Sequence, residues 1–116
     1  MITLLIPTPN RPDFLIRLLC YYWELDFQGR ICIGDSSDAE HVERIKQVIK
    51  TFQGKLDIIY QEYPPHLNEA MCLHKMHDSV STPYAVYVAD DDFLVSSALE
   101  ECAKFLDTHL EYSSAH

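Results

Sequence analysis

Short apolar runs alternate along the chain with longer segments in which apolar residues recur at helical spacing. The runs are mostly continuous rather than alternating in polarity, which is typical of strands buried on both faces. They cover residues 2–6, 30–34, 56–60 and 84–89, and Pro7 is expected to end the first. The helical patterns fall on residues 13–25, 42–49, 67–80 and 97–106. Strand and helix in alternation predict an α/β domain with a mainly parallel sheet and right-handed crossovers.

Polar residues follow three of these strands. Thr8, Asn10 and Arg11 come after the first, Asp35, Ser36 and Ser37 after the second, and the acids 90–92 after the fourth. Ligands of open parallel sheets bind outside the carboxyl ends of the strands. The strand order 3-2-1-4 would bring these three ends together, so this order is predicted, with Asp35 and Asp90 at the same end of the sheet.

Three consecutive carboxylates, Asp90, Asp91 and Asp92, follow the apolar fourth strand directly. Side by side they repel one another and could not all stay ionised close to a core without a counter-charge. A divalent cation is the natural partner, since Mg²⁺ takes one or two protein carboxylates together with water and phosphate oxygens. A solvated acidic loop is the alternative.

Asp35 and Arg11 each allow two interpretations. Asp35 could accept a hydrogen bond from a base N–H or a ribose hydroxyl, or it could cap the following helix. Arg11, in a turn framed by prolines, could contact a phosphate or a base edge, or form a surface ion pair.

The net charge and the cysteine spacing limit the classes of binding partner and ligand that we expect. The formal net charge of −9 argues against nucleic acid or an anionic membrane held by bulk attraction. The four cysteines lack the close spacing of zinc or redox motifs, and no stretch approaches the length of a membrane span. The first residues lack the basic segment of a signal peptide. We therefore expect free thiols and a cytoplasmic protein.

Three segments together carry a resemblance: PTPNRPDFLIRLL, ICIGDSSD and STPYAVYVADDDF. They are similar to the nucleotide-binding half of a GT-A-fold glycosyltransferase of the family 2 type. That family has a turn with Thr and Arg after the first strand, an Asp after the second, and a DXD-type carboxylate motif after the fourth. The resemblance implies a three-layer, Rossmann-like domain over residues 1–110. Residues 111–116 are mostly polar and are expected to form a frayed tail.

The resemblance also implies a site and an activity. The activity would be transfer of a sugar from a nucleotide-diphosphate sugar, with a UDP-sugar favoured, to an acceptor hydroxyl. Mg²⁺ or Mn²⁺ would be held by Asp92 and Asp90, and Asp35 would contact the base. The implied nucleotide-binding residues are Thr8, Arg11, Asp35, Ser36, Lys75, Asp90 and Asp91.

The chain departs from that family after the DXD motif, where the acceptor-binding half and the catalytic base are expected to be missing. No catalytic base is therefore nominated. A short sheet would also leave an edge that could pair with a second copy of the chain. Two alternatives stay open: a non-catalytic nucleotide-binding or assembly module with the same fold, and a metal-dependent nucleotidyltransferase.

Overall fold

The computed structural model describes residues 2–90 and 96–114, without the side chains of residues 96 and 97. Its four strands form one parallel sheet of order β3-β2-β1-β4, as the sequence predicts. The strands are Ile2–Thr8 (β1), Arg30–Asp35 (β2), Asp57–Glu62 (β3) and Tyr84–Tyr87 (β4). The helices are Pro12–Glu24 (α1), Ala39–Phe52 (α2), Glu69–His77 (α3) and Ser96–Thr108 (α4).

Helices cover both faces of the sheet, which gives the expected three layers. One face buries β1 and β2 side chains, Ile6 and Ile33 among them, against α1 and α2, and Leu99 of α4 packs on the same cluster. The opposite face is smaller. It consists of Leu5, Cys32, Cys72 and Met76, and α3 supplies the last two. The described cysteines are free thiols.

The prediction that Pro7 ends the first strand is wrong, because β1 continues through Pro7 to Thr8. The Leu5 carbonyl accepts from Val88 N on the β4 side, and the Thr8 carbonyl accepts from Ser36 N on the β2 side. Successive residues of a strand direct their backbone N and O atoms toward opposite neighbouring strands. The Pro7 nitrogen therefore faces β4, on the same side as the backbone of Leu5. The pairing with β4 has already ended at Leu5 and Tyr87, so no ladder bond needs a donor from Pro7.

Other boundaries differ from the sequence pattern by one or a few residues. β3 starts at Asp57 and runs to Glu62, because β2 offers pairing partners as far as Asp35. β4 is shorter than its apolar run and ends at Tyr87. α3 is also shorter than expected, and it begins where the Asn68 side chain accepts a hydrogen bond from Met71 N.

Gly34, the last residue but one of β2, lets α3 approach the sheet closely. A Cβ at this position would lie 2.5 Å from Met76 Sδ and 3.0 Å from Cys72 Sγ. Both side chains are buried, so they have little room to move aside. The missing side chain of Gly34 thus fixes the distance between α3 and the sheet.

We expect Gly34→Ala to lower the free energy of unfolding by about 1–3 kcal/mol through overpacking against Met76 and Cys72. Gly54→Ala is the matched control, since a Cβ at Gly54 meets nothing within 4 Å. Urea unfolding followed by circular dichroism measures both. Equal midpoints for the two variants would show that α3 is not held by this contact.

Candidate nucleotide-binding site

A buried carboxylate joins the ends of β1 and β4. Asp90, which follows β4, is only 4% exposed. Its Oδ2 accepts a hydrogen bond from Thr8 Oγ1 at 3.2 Å, and its Oδ1 accepts from Arg11 Nη1 at 3.0 Å. Burying a carboxylate is costly unless donors of this kind compensate it. The structure therefore brings together three of the residues that the sequence nominates: Thr8, Arg11 and Asp90.

Arg11 is held on two sides but still reaches solvent. Its guanidinium carbon lies 4.4 Å from the centroid of the Phe14 ring, in addition to the ion pair with Asp90. The side chain is nevertheless 38% exposed. An anion can therefore approach this planar guanidinium, whose fixed fork of N–H donors matches phosphate and carboxylate oxygens.

Asp35 lies at the same edge of the sheet but is fully buried. Its Oδ1 accepts from Ser37 N at 2.9 Å, and its Oδ2 accepts from the Tyr60 hydroxyl at 2.5 Å. Burial, with the hydrogen bond to Asp35 second, raises the pKa of Tyr60. The alternative that Asp35 caps α2 is wrong, because the N-cap position of that helix is Asp38.

Ser36 is buried beside these groups, and its backbone connects the end of β1 to the loop that follows β3. Its N–H donates to the Thr8 carbonyl at 3.2 Å, and its carbonyl accepts from His66 N at 3.3 Å. Ser36 thus lies at the predicted edge of the sheet. Among the residues that the structure describes, the hydrogen bonds that hold it there are those of its backbone.

Lys75 is not brought to this cluster by any contact within the described part of the chain. It is an exposed residue of α3, the helix on the smaller face of the sheet. Asp91 and Asp92 lie outside the described residues, so their predicted roles stay predictions. Within residues 2–90 and 96–114, no group of three or more His, Cys, Asp or Glu side chains could hold a metal ion.

The sequence reasoning missed one polar residue at this edge, Tyr60, and it gave no role to Asn10. The strand register could have identified Tyr60. Asp35 pairs with Glu62, and Tyr60, two positions before Glu62, has its side chain on the same face of the sheet as Asp35. Asn10 has a positive φ of 53°, a conformation that Asn tolerates better than most residues. The sequence places Asn10 with Thr8 and Arg11 after the first strand, but it does not predict the hydrogen bonds that Asn10 makes.

Tyr60 should make the protein less stable in alkali. Because its folded pKa is raised, the folded state keeps the phenolic proton above the pKa of the unfolded chain. The free energy of unfolding should therefore fall as pH rises above about 10, by at most about 1.4 kcal/mol per pH unit for one group. Urea unfolding above about pH 10 measures how steeply the free energy of unfolding falls with pH. The fall should be shallower for Tyr60→Phe than for the wild type. Tyr112→Phe, at an exposed position, should keep the wild-type slope. Identical slopes in all three proteins would contradict the assignment.

Comparison with known proteins connects this architecture to sugar-transferring enzymes. No protein-family model matches the chain, and no curated protein matches it by sequence. Among solved structures, it resembles S. aureus TarS 1–349 with a TM-score of 0.78 and 18% identity, covering 94% of this chain and 33% of that one. TarS 1–349 in complex with UDP gives a TM-score of 0.75 at 17% identity, covering 94% and 32%.

A second protein of known structure also resembles this chain. The mannosyltransferase PcManGT from Pyrobaculum calidifontis, in complex with GDP-Man and Mn²⁺, gives a TM-score of 0.76 at 18% identity. The match covers 90% of this chain and 32% of that one. The chain thus spans about a third of the length of these structures.

In the described part of the chain, no helix is long and apolar enough to cross a membrane.

TarS and PcManGT are both GT-A-type glycosyltransferases. The parallel sheet of order β3-β2-β1-β4, covered by helices on both faces, matches theirs at low sequence identity. The chain has the Rossmann-like GT-A fold that its sequence predicted.

Proposed function

We propose that this chain is the nucleotide-binding domain of a glycosyltransferase that uses a nucleotide-diphosphate sugar and a divalent metal. The observation that carries the proposal is the contact of Thr8 and Arg11 with Asp90 at the carboxyl edge of a GT-A sheet. Ligands of such sheets bind at this edge. Structures with the same fold that hold UDP, or GDP-Man and Mn²⁺, support the choice of ligand.

Arg11 is proposed to contact the diphosphate. The chain as a whole is strongly acidic, so an anionic ligand needs a local cation, and Arg11 places one beside the ends of β1 and β4. Asp90 and Phe14 hold its guanidinium on two sides, which reduces the entropy lost on binding. Thr8 contributes indirectly, because its hydroxyl holds Asp90 in place.

The residues present fit a divalent metal. Mg²⁺ needs only one or two protein carboxylates, because water and phosphate oxygens complete its shell. Asp90 and Asp92 are the proposed ligands. Both are carboxylates, the donor type that Mg²⁺ takes in proteins, and Asp90 lies beside the Arg11 cation at the carboxyl edge of the sheet. A bound ion would supply Lewis-acid stabilisation of the departing diphosphate.

The remaining assignments stay predictions. Ser36, Lys75 and Asp91 are proposed to contribute to the nucleotide pocket, and UDP is the favoured nucleotide. Asp35 contacts a base only if the Tyr60 hydroxyl gives way, since Asp35 is fully buried. The acceptor and the catalytic base are not assigned. A cytoplasmic location and pairing through a sheet edge also stay predictions from the sequence.

Calorimetry with uridine diphosphate tests the proposal. With Mg²⁺ present we expect weak binding, around 1 mM or about −4 kcal/mol, and in excess chelator we expect none. Asp92→Asn should remove most of the metal dependence. Arg11→Lys keeps the charge beside Asp90 but loses the planar fork, so the dissociation constant should rise about threefold to tenfold.

The control is Arg44→Lys, at an exposed arginine that pairs with Asp13 on the neighbouring helix. It should bind uridine diphosphate as the wild type does. Equal heats with metal and with chelator, or equal affinity in the Arg11 and Arg44 variants, would overturn the proposed site.

A further inference from the structure

A continuous chain of hydrogen bonds runs beneath the candidate site and ties together the ends of three strands. It starts at Tyr60 on β3, passes through Asp35 at the end of β2, and reaches Asn10 in the turn that follows β1. Asp35 and Ser37 are buried, and Tyr60 and Asn10 are half-buried. The proposed diphosphate and metal contacts involve none of these hydrogen bonds.

Asp35 faces the protein rather than the site. The side chain has no exposed surface, and its two oxygens accept from Ser37 N and from the Tyr60 hydroxyl. A ligand atom could not approach this carboxylate without displacing one of these donors. The role that the geometry supports for Asp35 is therefore to fix the residues that bind it.

Ser37 transmits the position of Asp35 to the end of β1. Its N–H is held by Asp35, and its Oγ accepts from Asn10 N at 2.7 Å. The same hydroxyl donates to the Thr8 carbonyl at 3.5 Å. One serine thus connects the turn after β2 to both sides of the turn after β1.

Asn10 completes the link and sets the direction of the chain. Its Oδ1 accepts from Asp38 N at 2.7 Å, so both the backbone and the side chain of Asn10 are bound to the turn after β2. Its positive φ reverses the chain immediately before Arg11, which is the N-cap residue of α1. The conformation of Asn10 therefore determines where the Arg11 side chain begins.

We infer that Tyr60 and Asn10 are positioning residues, which act through Asp35 and Ser37 to hold the turn that carries Arg11. This inference rests on the proposed function for its effect on a ligand, because Arg11 is there the residue that binds the diphosphate. It assigns Asp35 to the support of the phosphate-binding turn rather than to recognition of the base.

Nucleotide affinity separates the two roles for Asp35. Tyr60→Phe and Asn10→Gly each remove one link, and glycine keeps the positive φ accessible. With Mg²⁺ present, the dissociation constants of uridine diphosphate and cytidine diphosphate should both rise about threefold to tenfold, with their ratio unchanged. Tyr63→Phe is the matched control. It removes a hydroxyl that donates to Gln61 from a neighbouring position, and it should leave both affinities as they are.

Two further variants show whether the effect passes through Arg11. Asn10→Asp keeps the Oδ1 acceptor and should recover most of the affinity that Asn10→Gly loses. In an Arg11→Lys background, Tyr60→Phe should have a smaller effect than it has in the wild type, because the side chain that it positions has changed. Additive effects would show that Tyr60 acts by another route.

Hydrogen exchange in the ligand-free chain tests the network without any nucleotide. Tyr60→Phe should speed exchange of the Asn10 and Asp38 amides relative to the core amide of Ile33, and Tyr63→Phe should not. If the wild type fails to bind uridine diphosphate, the proposed function fails, while this exchange result still decides whether the network positions the turn. Unchanged exchange, tighter uridine diphosphate binding by Tyr60→Phe, or a changed ratio of the two nucleotides would overturn the inference.

Discussion

Two carboxylates buried at the same edge of the sheet, Asp35 and Asp90, have to find hydrogen-bond donors within the protein. The donors come from different elements: the end of β1, the start of α1, the turn after β2, and β3. Satisfying the two carboxylates therefore binds together the segments that follow the strands. The same requirement gives this edge a defined geometry before any ligand arrives.

The two carboxylates differ in what surrounds them. Asp35 is enclosed by groups that face the protein interior, and its hydrogen bonds lead to the backbone of the turns. Asp90 is bound by Arg11, whose guanidinium also reaches solvent. Asp35 thus holds the turns after the strands together, and Asp90 holds a partly exposed cation at the carboxyl edge of the sheet. In an acidic chain, this local cation offsets the repulsion that an anionic ligand would otherwise meet.

The sequence predicted the order of the strands, but it did not predict where β1 ends, which side chain binds Asp35, or which face of the sheet α3 covers. Right-handed crossovers and polar residues after three strands were enough to place Thr8, Arg11 and Asp90 together. The continuation of β1 through Pro7 depends on where β4 stops pairing, which an apolar run cannot show. The partner of Asp35 is Tyr60, which lies on a different strand, so this contact depends on register. The helical pattern around Lys75 did not reveal which side of the sheet α3 would cover.

The central claim is that a nucleoside diphosphate binds where β1, β2 and β4 end. Titration of the ¹⁵N-labelled chain with uridine diphosphate and Mg²⁺, followed by amide chemical shifts, tests it most directly. The account predicts saturable shifts centred on Thr8, Arg11, Ser36 and Asp90, with Gly54 and the amino ends of the strands unchanged. Shifts centred on another surface, or none at millimolar nucleotide, would contradict it.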